Sequence, residues 1–101
     1  MIVRLPLYCS KRGGSRPNLV GIQADDLVPL PTVAVLPVVE DSDPSGPAGL
    51  FWPKFQHDGV PYIVRCDLPR AIQREAIVEV GRLEAEDSRQ IKSAFLSLLA
   101  E

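Results

Sequence analysis

The sequence predicts a small, mostly β domain, a barrel of roughly five to seven short antiparallel strands packed by one C-terminal α-helix. Three observations lead there. Ten prolines in 101 residues are about twice the usual share of roughly 5%, which favours short strands and frequent turns over long helices. Short β-branched runs recur between clusters of Gly, Pro and Asp, the punctuation expected between strands. Near the C-terminus apolar residues fall into the period of a helix.

Residues 2–8 place Val3, Leu5 and Leu7 on one face and Arg4 on the other, the period of a strand. Pro6 has no N–H to donate, which puts this strand at an edge or beside a bulge. Lys11 to Ser15 form a basic, glycine-rich loop. A second strand is expected over 19–23, stopped by Asp25 and Asp26. Residues 32–39 (TVAVLPVV) are the most β-branched stretch and the candidate central strand, with Pro37 expected near its end. Residues 40–49 are acidic and rich in Pro, Gly and Ser. They bury too little apolar surface to offset their ordering entropy and read as a mobile loop within one domain spanning 1–101.

Strands over 51–56 and 60–66 follow, joined by a turn whose Asp58-Gly59 pair supplies the positive φ of a tight hairpin. A further short strand covers 77–80. In the last segment Asp87 and Gln90 resemble an N-capping pair. Ile91, Ala94, Phe95, Leu98 and Leu99 then make one apolar stripe, suited to core or to a dimer contact. The chain has no internal repeat.

The apolar fraction of 46% and charged fraction of 24% are those of an ordinary globular domain. A net charge of −2 does not suggest a strong nucleic-acid binder, although a local basic patch could still serve one. Cys9 and Cys66 form neither a metal pattern nor a disulfide framework and read as small apolar residues in a reducing compartment. No apolar run approaches the roughly 20 residues of a membrane span, and the first residues lack a signal-peptide pattern. The expected location is the cytoplasm, with no membrane, metal or cofactor. His57, alone of its kind, falls at a hairpin turn and reads as a surface residue. Trp52, beside Phe51 and Phe55, reads as core.

Two groups carry candidate chemistry. If residues 60–66 end as a strand, Arg65 and Asp67 project from the same face. Such a pair can cleave RNA without metal, the carboxylate taking the 2′-hydroxyl proton and the guanidinium stabilising phosphate charge. The alternative is a surface ion pair at a strand end. The second group is basic: Lys11, Arg12 and Arg16, with Arg70 further along, are candidates to hold phosphate or RNA, or else a solvated loop tip.

Val20 to Leu27, then Val35-Leu36-Pro37, Phe51-Trp52-Pro53, Asp58-Gly59, Asp67 and Ile91 to Ala94 together resemble the CcdB-like toxins of the CcdB and Kid/MazF superfamily. The resemblance covers nearly the whole chain, through motifs that are each loose. Gly14-Ser15-Arg16-Pro17 and Val64-Arg65-Cys66-Asp67, with Pro69-Arg70 after them, are similar to segments of the Kid/MazF ribonucleases. There the arginine and aspartate act as acid and base.

The resemblance implies a homodimer of SH3-like barrels, and the toxin of a type II toxin–antitoxin pair of the kind used in plasmid maintenance. Its partner would be a cognate antitoxin with a disordered C-terminal tail. CcdB-like members bind and poison DNA gyrase, a type II topoisomerase, so residues Leu99, Ala100 and Glu101 become target-binding candidates. The chain departs from both branches. It lacks the terminal Trp-Gly-Ile-like tail of gyrase poisons, where an aromatic anchor can carry ~2 kcal/mol or more. It also lacks the histidine that the ribonucleases often carry in their first long loop. The expectations are, in order, a gyrase inhibitor that is not an enzyme, a metal-independent endoribonuclease using Arg65 and Asp67, and a decayed toxin that keeps only antitoxin binding.

Overall fold

The computed structural model describes residues 4–12, 16–22, 30–47, 49 and 52–99. Seven strands precede one helix: β1 (Pro6–Ser10), β2 (Leu19–Gly21), β3 (Thr32–Glu40), β4 (Lys54–His57), β5 (Val60–Val64), β6 (Arg70–Gln73) and β7 (Ile77–Arg82), then α1 (Ala85–Leu99). A single 3₁₀ turn, Arg74–Ala76, links β6 to β7. All pairings are antiparallel, and the sheet runs β4-β5-β3-β2-β1-β7 with β6 also on β3. It curls into a half-barrel, and the mostly β fold with a C-terminal helix stands as the sequence predicts.

The long strand β3 is central because both its faces are covered. Val33 and Val35 pack with Ile77 on one face. Leu36 and Val38 face the larger core, with Leu7, Val20, Phe55, Tyr62, Val64, Leu83, Ile91 and Ala94. Alternation of side chains along a strand produces this division. Phe55 and Tyr62, directly paired across β4 and β5, stack with ring centroids 5.3 Å apart. Such cross-strand aromatic pairs stabilise a sheet beyond their area alone.

Pro37 falls inside β3, not near its end. One edge of β3 pairs continuously with β2. The other edge pairs with β6 up to Val35↔Arg70 and with β5 from Val38↔Val64. Leu36 and Pro37 therefore face a gap, across which residues 65–69 leave the ladder. The Arg65 N–H still donates to the Pro37 carbonyl at 2.8 Å. In an antiparallel ladder a residue's N–H and C=O point to the same edge. The missing N–H of Pro37 thus faces the gap, and the Arg65 carbonyl it would have served takes the Leu68 N–H instead.

Other expectations shift by a few residues. Pro6 is not at an edge, since β1 pairs on both sides, but a register shift between Leu7 and Tyr8 supplies the alternative, a bulge. β5 ends at Val64, before Arg65 and Cys66, because the facing strand offers Pro37. β6 was not foreseen in the sequence. Asp58 and Gly59 take φ of 52° and 78°, the backbone expected of that hairpin dipeptide. Asp87 is not the helix cap. The helix begins at Ala85, and Gln90 donates to Glu86 instead. Val3, Gly13 to Ser15, Gln23 to Leu27 and Phe51 lie outside the described residues.

The helix is locked to the sheet by Ser88, which is fully buried and accepts the Leu5 N–H at 2.9 Å. Ile91 and Ala94 continue its buried stripe, and Phe95 packs partly against the same core. No helix among the described residues is long and apolar enough to cross a membrane.

Candidate functional site

The gap opposite Pro37 holds a connected cluster of charged and aromatic side chains. Residues 65–69 turn back on themselves, with the Leu68 N–H donating to the Arg65 carbonyl at 3.2 Å. This turn, not a strand face, brings Arg65 and Asp67 together. The guanidinium grips the carboxylate with two bonds, Nε to Oδ1 at 3.1 Å and Nη2 to Oδ2 at 2.9 Å. Bidentate geometry of this kind is among the stronger protein hydrogen-bond arrangements.

Trp52 completes the cluster and corrects its assignment to the core. It is 46% exposed. Its indole Nε1–H donates to Asp67 Oδ1 at 2.9 Å, and the Arg65 guanidinium carbon lies 5.0 Å from the ring centroid. That is cation–π distance. Phe55, by contrast, is buried as expected.

These contacts set the electrostatics. The Arg65 hydrogen bonds, outweighing partial burial and helped by the Trp52 indole, hold the Asp67 carboxyl down at about 2. Asp67 in turn raises the Arg65 guanidinium above its ordinary value. Between them in sequence, Cys66 is fully buried. Burial, with the Asp67 charge adding to it, pushes its thiol up to about 11, so it is an inert neutral thiol at physiological pH.

The remaining basic candidates do not join the cluster by any described contact. Arg16 pairs with Glu40 at 2.8 Å. Lys11 and Arg12 occupy the turn after β1, where the Lys11 N–H reaches the Ala76 carbonyl beside the 3₁₀ turn. Arg70 is exposed at the start of β6. His57 closes β4 at the tip of the β4–β5 hairpin, the opposite end from Arg65, with Asp58 3.6 Å away. Among the described residues no group of His, Cys, Asp and Glu is placed to hold a metal.

At the end of α1, exposure rises sharply: Leu96 is 60%, Leu98 36% and Leu99 62% exposed. Leu98 continues the buried stripe by spacing, so the last turn is less covered than the two before it. Ala100 and Glu101 lie outside the described residues. An open groove of about 460 Å³ runs along the same helix, lined by Gly49, Pro53, Arg89, Gln90, Ser93 and Ser97, among others.

Trp52 is the member of this cluster that the sequence does not point to. The signal available was its setting, between a Pro/Gly-rich segment and Pro53, where no alternating pattern demands burial. Neither a family model nor a curated protein matches the chain.

Proposed function

We propose that the protein is the toxin of a type II toxin–antitoxin pair, acting like CcdB by binding and poisoning a type II topoisomerase such as DNA gyrase. In this reading it works as a cytoplasmic homodimer and is neutralised by a cognate antitoxin. The observation that carries it is the exposed apolar last turn of α1, with Leu96 and Leu99 60% and 62% exposed. It lies on the C-terminal helix of the fold, the element whose far end the resembled toxins present to gyrase. The curled sheet with a C-terminal helix is consistent with the same resemblance. A water-exposed leucine cluster has more to gain from a protein target than from nucleic acid.

A second reading rests on the surface meeting of Arg65 and Asp67, that of a Kid/MazF-like endoribonuclease. Two features weigh against it. A carboxylate held at about 2 is a weak general base at neutral pH, because proton-transfer efficiency follows basicity. Both its oxygens are already engaged by Arg65 and Trp52.

The deciding experiment incubates purified protein with gyrase and supercoiled DNA and, separately, with RNA in EDTA. Linear DNA without RNA fragments supports the gyrase reading. RNA fragments without linear DNA overturn it in favour of the ribonuclease. The absence of both products overturns both active readings and leaves the decayed toxin.

A further inference from the structure

We propose that Asp41 and Lys54 form an ionic latch that closes the β3–β4 connection and thereby positions Trp52 against the Arg65–Asp67 pair. This stands on geometry alone, whichever target the protein has, and toxicity is not its readout.

Lys54 opens β4, and its side chain is only 21% exposed. Its ammonium meets three oxygens: Asp41 Oδ2 at 3.0 Å, the Asp43 carbonyl at 3.0 Å and the Gly46 carbonyl at 2.9 Å. Of its three donors, the ammonium gives hydrogen bonds to the two carbonyls and faces the Asp41 carboxylate as an ion pair. Asp41 lies at the other end of the connection. Its side chain is 3% exposed, and its backbone N–H is fixed to the Pro61 carbonyl of β5 at 3.0 Å. Its Oδ1 accepts the Asp43 N–H at 3.0 Å, while Oδ2 has the ammonium as an ion-pair neighbour outside hydrogen-bond alignment. Burial pushes the Asp41 carboxyl up, but the Asp43 N–H and Lys54 together bring it below its ordinary value.

The acidic segment thus contains a turn built around one lysine. The Gly46 N–H reaches the Asp43 carbonyl at 3.0 Å, and the Ser45 hydroxyl reaches Asp43 Oδ1 at 3.2 Å. Trp52 stands two residues before Lys54 and bridges to Gly49, to whose carbonyl its N–H donates at 3.3 Å. At nearly half exposure, Trp52 is held by this bridge, by Arg65 and Asp67, and by its neighbour Pro53, whose carbonyl accepts the Val64 N–H of β5 at 2.9 Å. Removing either charge of the latch strands the other in a nearly dry site, which draws water in and opens the turn. The start of β4 then loses its tether to the end of β3 but keeps its pairing with β5, so the support Trp52 loses is that on its Gly49 side. Asp41 and Lys54 are positioning residues, since neither touches the Arg65–Asp67 pair.

The test compares Lys54→Met and Asp41→Asn with the parent full chain by NMR. Three signals report the coupling. Gly46 amide exchange reads the latch, the indole N–H of the sole tryptophan reads Trp52, and the Arg65 Nε–H reads the pair. Expected in both variants are a rise in Gly46 exchange of roughly tenfold, movement of the indole resonance towards free indole, and a weakened Arg65 Nε–H signal. If Gly46 exchange rises while the indole and Arg65 signals stay put, the latch is local and the proposal fails. It fails equally if none of the three changes. Should a single variant not fold, the Asp41→Asn, Lys54→Met double variant leaves no charge stranded, and the same signals decide.

Discussion

The Trp52 indole N–H and one Asp67 oxygen, 2.9 Å apart, join two excursions from the sheet, the segment before β4 and the turn between β5 and β6. Replacing Trp52 by Phe removes the donor and keeps a ring for Arg65. The Asp67 carboxyl should then rise from about 2 yet stay below its ordinary 3.8, because the Arg65 bonds are the larger cause and remain. A carbon-detected NMR titration reads this directly, and an unchanged midpoint would show that the indole bond contributes nothing.

Linkage gives this shift a sign. A carboxyl depressed on folding contributes stability above its unfolded value, lost as pH falls through the folded one. Asp67 therefore supports the fold above about pH 4 and ceases to between there and about 2. Asp67→Asn should flatten the acid side of the stability curve in that window, measured by urea unfolding at several pH values.

Cys66 works in the alkaline range. Its folded value of about 11 lies above the ordinary 9.0, so the unfolded chain ionises first. Stability should fall as pH rises from 9 towards 11, and Cys66→Ala should reduce that slope, leaving the part due to Tyr62, which burial also raises above its ordinary value. At pH 8 the native thiol should react with a disulfide reagent only at the rate of unfolding, and a fast stoichiometric reaction would contradict its burial.

How much of this was legible in the sequence depended on whether the cause was local. The Asp58-Gly59 turn, the alternation of β3 and the stripe from Ile91 to Ala94 are set by neighbours within a few residues, and the structure keeps them. The site was legible as a pair, Arg65 and Asp67, but for the wrong reason. A strand face was expected, and a turn holds them. That turn exists because Pro37, 28 positions before Arg65, has no N–H to offer the passing chain. Trp52 was misread because its partner Asp67 is 15 residues away. Hydrophobicity alone cannot say whether an indole is covered by core or by a guanidinium.

Two substitutions probe the packing. At Gly21 a Cβ would stand 2.8 Å from Tyr8 Cε2 and 2.9 Å from Pro6 Cγ. Neither ring can yield easily in a paired strand, and Gly21→Ala should cost ~1–3 kcal/mol. Ser88→Ala leaves the Leu5 N–H buried without its acceptor, for a loss of ~1–3 kcal/mol. Chemical denaturation measures both, and a change under a few tenths at Ser88 would mean that water replaces the hydroxyl.

The last turn of α1 tests the proposed target. Leu96 and Leu99 are exposed, so Leu96→Glu and Leu99→Glu should leave stability within ~0.5 kcal/mol. On the gyrase reading each should nonetheless relieve growth arrest, because a charge replaces an apolar contact with the target. If the ribonuclease reading is right, both variants stay toxic. Asp67→Asn then abolishes cleavage, with the ~10²–10⁴ loss typical of a missing general base. Sedimentation separates a third possibility, that these leucines serve the homodimer. The parent should run at about twice 11.1 kDa. If either charged variant becomes a monomer, the leucines belong to the subunit interface, and loss of toxicity no longer speaks for contact with gyrase. A dimer that keeps its mass and stability but loses toxicity assigns the exposed turn to the target.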